Sequence, residues 1–190
     1  MIGDPPDLSE ISVQLATLCA RYCYLPNPQV ADALDGAVFP TIRAKPRGFV
    51  DEEKGVLYDT NVTPSCAILW SHGIMRDRPK RGWMVAHVWP TSKDPSAYTR
   101  LANLAIVPEC LGSLTDKDGP LTSYFRHHAY RVYGWKPTDV VAPKMPAEYA
   151  STQFNYLPEN SNPKLSIETR LRKLNNDRVR KLRPLMGLGD

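Results

Sequence analysis

Two polar side chains flank a polar segment in the middle of the chain, and their types are suited to proton transfer. His87 ends one apolar run, and Asn103 begins another sixteen residues later. A neutral imidazole has an ordinary pKa of about 6.5, so it can take a proton from water near neutral pH. It must be held in one tautomer, which a hydrogen-bonding neighbour can do. Two interpretations stay open: the pair activates water, or both are ordinary residues of a β-hairpin.

The elements that must position this pair are indicated by the surrounding residues. Trp83–Val88 is apolar and β-prone, and Pro90 ends it. TSKDPSAYTR predicts a loop, LANLAIV a second strand, and CLGSL one or two helical turns after Pro108. A helix is predicted over 120–133, because a proline begins it and a glycine follows it. The order is therefore strand, loop, strand, helix.

The phrases AHVWP and ANLAIVP, which contain His87 and Asn103, resemble the HNH endonuclease motif, a ββα-metal finger. The motif has the pattern H-[IV]-x-P, a polar loop and N-L-x-x-[LV], and the resemblance spans about 83–118. It implies that His87 is the general base of phosphodiester hydrolysis. It also implies that Asn103 pins the loop so that His87 points at the attacking water. A divalent metal, Mg²⁺ or another, would stabilise the leaving oxygen.

The sequence departs from this family where the family binds its metal. Ala86 precedes the base in place of an acid or histidine, and Leu111 with Gly112 occupies the position of the second ligand. Asp116 and His127 are predicted as ligands instead, since Mg²⁺ prefers carboxylate oxygen and needs few protein donors. Further candidates there are Ser113, Asp118 and His128, although TDKDG is equally a turn sequence. His128 lies on the apolar helix face and is predicted to be a packed core histidine.

Two basic clusters stand in a nearly neutral body, whose net charge is +4. Clusters of this kind are suited to binding a polyanion. The alternative is that a basic helix is only a solvated surface. Both clusters are predicted to hold the phosphates of nucleic acid with little sequence preference. The predicted contacts are Arg76, Arg78, Lys80, Arg81, Arg170, Arg172, Lys173, Arg178, Arg180 and Lys181.

The rest of the chain is less specific. Residues 7–24 predict a helix that opens with a capping box. Residues 27–65 predict loops with short strands, and SCAILWSHG is either a strand or a helix. Residues 136–164 predict an extended arm, and roughly 165–182 a basic C-terminal helix. We therefore expect an α+β domain over 1–140 with an HNH-like finger at about 83–118, followed by an arm and a basic helix over 141–190.

Composition limits the classes of protein that fit. The 190 residues hold four cysteines without a CxxC pair, which indicates reduced, packed thiols rather than a zinc knuckle. No run reaches the roughly 18 apolar residues of a membrane helix, and MIGDPPDLSE lacks the features of a signal peptide. A cytoplasmic protein is expected. Nucleotide-binding and common hydrolase motifs are missing from the sequence.

The function predicted from these features is a metal-dependent DNA endonuclease of HNH type, related to restriction or phage defence. The alternative is a non-catalytic module that binds nucleic acid or protein on a degenerate finger. A third interpretation is a subunit whose C-terminal helix docks on another chain, or on a second copy, through Leu171, Leu174 and Val179.

Overall fold

The computed structural model describes residues 9–116 and 119–189, which form a small mixed α+β domain. The helices are α1 Ser9–Ala20, α2 Pro28–Ala33, α3 Val62–Ser71, α4 Pro120–Tyr133, α5 Pro163–Lys173 and α6 Asp177–Leu185. The strands are β1 Tyr24–Leu25, β2 Thr41–Arg43, β3 Val50–Asp51, β4 Val56–Asp59, β5 Trp83–His87, β6 Leu104–Pro108 and β7 Asn155–Tyr156. Short 3₁₀ helices occupy Leu101–Asn103, Glu109–Thr115 and Tyr149–Ser151.

β5 and β6 form an antiparallel hairpin, as the two apolar runs predict. Their register pairs Trp83 with Pro108 and His87 with Leu104. The hairpin is one edge of a four-stranded sheet with the order β5-β6-β1-β7. Because side chains alternate along a strand, Leu104 and Ile106 enter one hydrophobic core while Ala105 and Val107 enter another. The hairpin is therefore held from both sides.

α4 begins and ends where its proline and glycine predict. Pro120 is at its first turn, and Gly134 follows in the left-handed conformation with φ 64°. Leu121 and Phe125 pack in the same cluster as Ala86 of β5. The predicted turns at CLGSL are the 3₁₀ helix before α4. A β-hairpin and the helix that packs on it thus follow one another along the chain.

The other core joins the middle of the chain to its C-terminal helices. Trp70 of α3, Leu57 of β4, Leu171 of α5 and Leu182 of α6 all lie in it. β4 is the centre of a three-stranded sheet, parallel to β2 and antiparallel to β3. The segments expected as a domain and as an appended helix therefore share a hydrophobic core.

The predicted arm is mostly irregular but contributes a strand. β7 pairs in parallel with β1, and the Leu157 amide donates to the Leu25 carbonyl at 2.8 Å. The expectation of a single final helix is wrong, because α5 and α6 are separate. Leu174 adopts an extended conformation, and the Asn176 side chain caps α6 by accepting from the Val179 amide at 3.0 Å.

Two further expectations change in the first 65 residues, and the structure decides the open alternative for SCAILWSHG. The first helix ends at Ala20 instead of reaching Tyr24, which lies in β1 and pairs with Ile106. Asp7 of the expected capping box lies outside the described residues. Residues 27–65 contain two helices besides short strands, and SCAILWSHG belongs largely to α3. Every residue from Thr63 to Ser71 is buried, so α3 has no polar face to reveal its period.

Within residues 9–116 and 119–189, helices with the length and apolar character needed to cross a bilayer are absent.

Candidate active site

His87 ends β5 and lies half-buried against the loop that joins β5 to β6. Its Nε2 is 3.0 Å from the carbonyl oxygen of Tyr98. A carbonyl can only accept, so this nitrogen carries the proton and the neutral ring keeps its lone pair on Nδ1. The ring also stacks flat on Tyr98, with centroids 5.1 Å apart and planes at 4°. Among the described residues Nδ1 has no hydrogen-bond partner.

The surroundings of His87 favour the neutral imidazole. Burial lowers its pKa, and the positive charge of Arg43 lowers it further, against the opposing effect of the bond to the Tyr98 carbonyl. The ring is therefore uncharged at neutral pH and able to accept a proton at Nδ1. This is the protonation state that a general base requires.

Asn103 is fully buried, and its side chain forms hydrogen bonds with three residues of the same loop. Its Oδ1 accepts from the Trp89 amide at 2.8 Å. Its Nδ2 donates to the Thr91 hydroxyl at 2.7 Å and to the Ala97 carbonyl at 3.0 Å. Because the loop also supplies the Tyr98 carbonyl, Asn103 acts on His87 through the backbone and not by direct contact.

A cavity of about 280 Å³ lies beside His87. Asp116, one of the predicted ligands, lines it, and so do Arg43, Asn61 and Arg126. Arg126 also donates from Nε to the Val88 carbonyl at 3.2 Å. The cavity thus brings an imidazole, a carboxylate and guanidinium groups together.

The donors around this cavity do not fit a preassembled metal centre. Asp116 is the one carboxylate among the described residues that line it. No cluster of three or more His, Cys, Asp or Glu side chains suited to a metal occurs in the described part of the chain. Ala86 faces the core beneath α4 and offers no donor atom. Asp118, another candidate ligand, lies outside the described residues.

His127, the other predicted ligand, is not brought to Asp116. Its Nδ1 lies 3.1 Å from the Pro143 carbonyl, and its ring packs edge-on against Tyr149 at 4.5 Å. It is also missing from the lining of the His87 cavity. The two donors therefore do not form a joint site, because the arm after α4 occupies the histidine.

His128 is the packed, hydrogen-bonded core histidine that its helical face predicts. It is 3% exposed, with Nδ1 3.0 Å from the Tyr149 hydroxyl and Nε2 3.1 Å from the Tyr156 hydroxyl. Burial lowers its pKa to about 4. His72 has the same value for the same reason, with Nε2 accepting from the Asn27 amide. Both histidines therefore stabilise the folded structure by hydrogen bonds to other segments of the chain.

A larger groove of about 920 Å³ adjoins the His87 cavity. Arg78, Lys80 and Arg81, three of the predicted phosphate contacts, line it. Four further basic residues line it that sequence reasoning missed: Arg43, Lys45, Arg47 and Lys93. The signal for the first three was RAKPRG at residues 43–48, which resembles RDRPKRG at residues 76–82 in its basic residues, proline and final glycine, whereas Lys93 is a single basic residue in a polar loop.

The C-terminal basic residues do not line this groove. Arg170 bonds Asp77 at 3.2 Å and lies over Trp70, and Arg178 pairs with buried Asp59. Lys181 and Arg180 are 2.7 and 3.8 Å from Asp177. Arg172 and Lys173 are exposed on α5, and Arg76 is exposed outside the groove. Arg170 and Arg178 therefore pair with acidic residues on the body of the protein, whereas Arg180 and Lys181 pair with Asp177 of their own helix.

The apolar residues of the C-terminal helices are also occupied. Leu171 and Val179 are 0% and 1% exposed within the chain's own core, and Leu174 packs against it. They are therefore not a free docking surface for another chain.

The prediction of packed thiols holds for three of the four cysteines. All four are free, and Cys19, Cys23 and Cys66 are buried as predicted, but Cys110 is exposed, so the prediction is wrong for that residue. Trp89 is buried and packs edge-on against Trp135, with ring centroids 5.1 Å apart.

Comparisons with known proteins add no relative, because neither a protein-family model nor a curated protein nor a solved structure matches the chain.

Proposed function

We propose that the protein is a nuclease that hydrolyses phosphodiester bonds at His87, on a hairpin-and-helix unit of HNH type. The observation that carries the proposal is the state of His87. Its Nε2 is fixed by the Tyr98 carbonyl, its Nδ1 is uncommitted, and it lines a cavity that adjoins a basic groove. Core histidines elsewhere in the chain lack this combination.

The hairpin and helix support the HNH assignment. β5 ends at His87, β6 follows Asn103 directly, and α4 packs beneath both strands. Asn103 bonds both ends of the loop between the strands, which is the role that the resemblance implies for it. The unit departs from a simple finger because the 3₁₀ helix Glu109–Thr115 separates β6 from α4.

The chemistry assigned to this chain is proton transfer and charge stabilisation. Nδ1 of His87 takes a proton from water, and the resulting hydroxide attacks phosphorus. The bond to the leaving sugar oxygen breaks, and that oxygen receives a proton from solvent. Arg43, which lines both cavities, is placed to stabilise negative charge on the phosphate oxygens. Mg²⁺ dependence stays a prediction, and the described donors assign no step to a metal.

The second candidate is a binding module that does not cut. Ala86 and Asp116 favour it, because Asp116 is the one carboxylate among the described residues of the cavity, which is at the lower limit of the protein ligands that Mg²⁺ uses. In that case the same groove binds nucleic acid, and His87 with Asn103 serves only to fix the loop.

A cleavage assay decides between the two candidates. Supercoiled plasmid and a labelled oligonucleotide are incubated with the protein in Mg²⁺, Mn²⁺ or EDTA. The nuclease proposal expects cleavage that His87→Ala abolishes and that His127→Asn, a matched change outside the cavity, retains. Binding without cleavage in all three conditions overturns the nuclease proposal and supports the module. Cleavage that survives in His87→Ala overturns the assignment of the base.

A further inference from the structure

Two loops of similar composition line the basic groove. Loop A, residues 43–48 (RAKPRG), contributes Arg43, Lys45 and Arg47, and loop B, residues 76–82 (RDRPKRG), contributes Arg78, Lys80 and Arg81. We infer that a nucleic-acid strand runs between loop A and loop B, and that Arg43 binds the phosphate presented to His87. This inference deepens the proposed function and rests on it.

The charges of the groove identify a polyanion as its ligand. Seven basic side chains line it against two acidic ones, Asp59 and Glu109. Asp59 is 6% exposed and is paired with Arg178, so it does not offset the cations of the groove. The seven cations are exposed, and none of them forms an ion pair with another described residue. The basic residues in question are Arg43, Lys45, Arg47, Arg78, Lys80, Arg81 and Lys93.

The seven positive charges of the groove repel one another because no acidic partner among the described residues compensates them. Their side chains are exposed, so packing does not explain why they lie together. Arg170 and Arg178, by contrast, have acidic partners and contact the body of the protein. A concentration of unpaired cations in one cleft raises the local potential and attracts anions. Arginine and lysine spread over two loops match a ligand that carries repeated phosphates.

The size of the groove favours a polymer over a small phosphate ester. About 280 Å³ beside His87 is close to the lower limit of small-ligand pockets, whereas the groove adds about 920 Å³. The three basic residues of loop B that line the groove all lie outside the smaller cavity. A monoester bound at His87 would leave them without a partner, and a strand would contact them with neighbouring phosphates.

Arg43 connects the groove to the reacting group. It lines both cavities, as do Asn61, Met84, Val85 and Ser92. Its backbone amide donates to the Ser92 carbonyl at 2.7 Å, which fixes the start of loop A to the loop that holds His87. A phosphate bound by the Arg43 side chain at this junction therefore lies between the groove and the imidazole.

Two double variants and a matched control test the path of the strand. Lys45→Ala/Arg47→Ala removes two positive charges from loop A, and Arg78→Ala/Lys80→Ala removes two from loop B. The control, Arg172→Ala/Lys173→Ala, removes two positive charges from exposed positions of α5. All are made in the His87→Ala background, and oligonucleotide binding is measured by fluorescence anisotropy at several salt concentrations. Single-stranded DNA, duplex DNA and RNA of equal length identify the preferred strand.

Each groove variant is expected to weaken binding by about 10-fold or more and the control by less than about 2-fold. The slope of log K against log salt should fall by about 1.4 to 1.8 in the groove variants, as expected for two lost phosphate contacts. Unchanged melting temperatures would show that the fold is intact, since the side chains are exposed and unpaired.

Equal losses in all three double variants, or none in any, overturn the inference. Wild-type cleavage that depends on His87, combined with normal binding by both groove variants, rejects the groove while the nuclease proposal stands. Binding that the groove variants lose, without cleavage by wild type, supports the groove and rejects the nuclease proposal. The two ideas can therefore fail separately.

Discussion

The imidazole rings of His87 and His128 have related surroundings but differ in their hydrogen-bond partners and in their access to a cavity. Both contact aromatic rings, and burial lowers the pKa of both. His128 has a tyrosine hydroxyl at each ring nitrogen. His87 has the Tyr98 carbonyl at Nε2 and, among the described residues, nothing at Nδ1. His87 also lines a cavity.

Burial and a lowered pKa are thus common to the proposed base and to a packed core histidine, so these two properties do not distinguish them. Each ring nitrogen must be examined, because a nitrogen that already binds a protein group cannot also accept a proton from water. His128 and His72 use both nitrogens within the fold. His87 uses one nitrogen to fix its orientation, and its other nitrogen has no partner among the described residues.

Substitution of the two histidines should separate activity from stability. His87→Ala is expected to lower the cleavage rate by about 100-fold or more, since it removes the base. His128→Phe should keep the rate within about 3-fold but destabilise the protein by about 2 kcal/mol, because it leaves two tyrosine hydroxyls unpaired. Single-turnover cleavage and urea unfolding measure the two effects. Comparable loss of cleavage in both variants would break the distinction.

Asn103 should combine both effects. Asn103→Ala leaves the buried Trp89 amide without a partner and removes one of the two donors to the Ala97 carbonyl, which should cost about 2 to 3 kcal/mol. The loop that orients His87 loosens as well, so the cleavage rate of the folded variant should fall by about 10-fold. Urea unfolding and cleavage at a temperature where the variant is folded measure these terms. Full activity with normal stability would contradict the role of Asn103 in the loop.

The structural histidines predict a loss of stability in acid. His72 and His128 both have a pKa of about 4 in the folded protein, against about 6.5 when unfolded. As the pH falls below 6.5 the unfolded chain binds protons that the folded protein does not, so the free energy of unfolding decreases. Each histidine should account for about 2 kcal/mol between pH 7 and 5. Urea titrations at both pH values test this, and His128→Phe should show a smaller decrease than wild type.

The smallest effect is expected at Tyr98. Tyr98→Phe keeps the ring that stacks on His87 and the backbone carbonyl that fixes Nε2, and removes only a hydroxyl 3.4 Å from Asn61. The cleavage rate and its pH profile should stay within about 2-fold of wild type. A large loss would mean that the hydroxyl contributes to the reaction, and the backbone account of the orientation of His87 would be incomplete.

The part of the fold that could be predicted from sequence depends on local signals. β5, β6 and α4 were predicted because their apolar runs, Pro120 and Gly134 act over a few residues. α3 stayed ambiguous because it is buried all round, and an element without a polar face has no diagnostic period. The pairing of β1 with β7 was not predicted, since it joins residues far apart in sequence and each strand has two residues.

The residues of the candidate site also differ in whether local sequence signals reveal them. His87 and Asn103 are recognisable within one short segment, and loop B was predicted from its run of charges. Loop A connects β2 to β3 of the three-stranded sheet, so its meeting with loop B in one groove depends on tertiary packing. His127 was assigned to the wrong surroundings because the arm that occupies it comes later in the chain. Sequence showed which side chains could react but not which of them meet.

The core beneath β6 combines Val30 of α2 with Leu182 of α6, and this has a consequence for biosynthesis. A ribosome must extrude α6 before that core can close around the hairpin. His87 and Asn103 are translated much earlier, but the loop between them does not have the support of this core until α6 has been synthesised. Activity in a nascent chain should therefore lag well behind synthesis of the histidine itself.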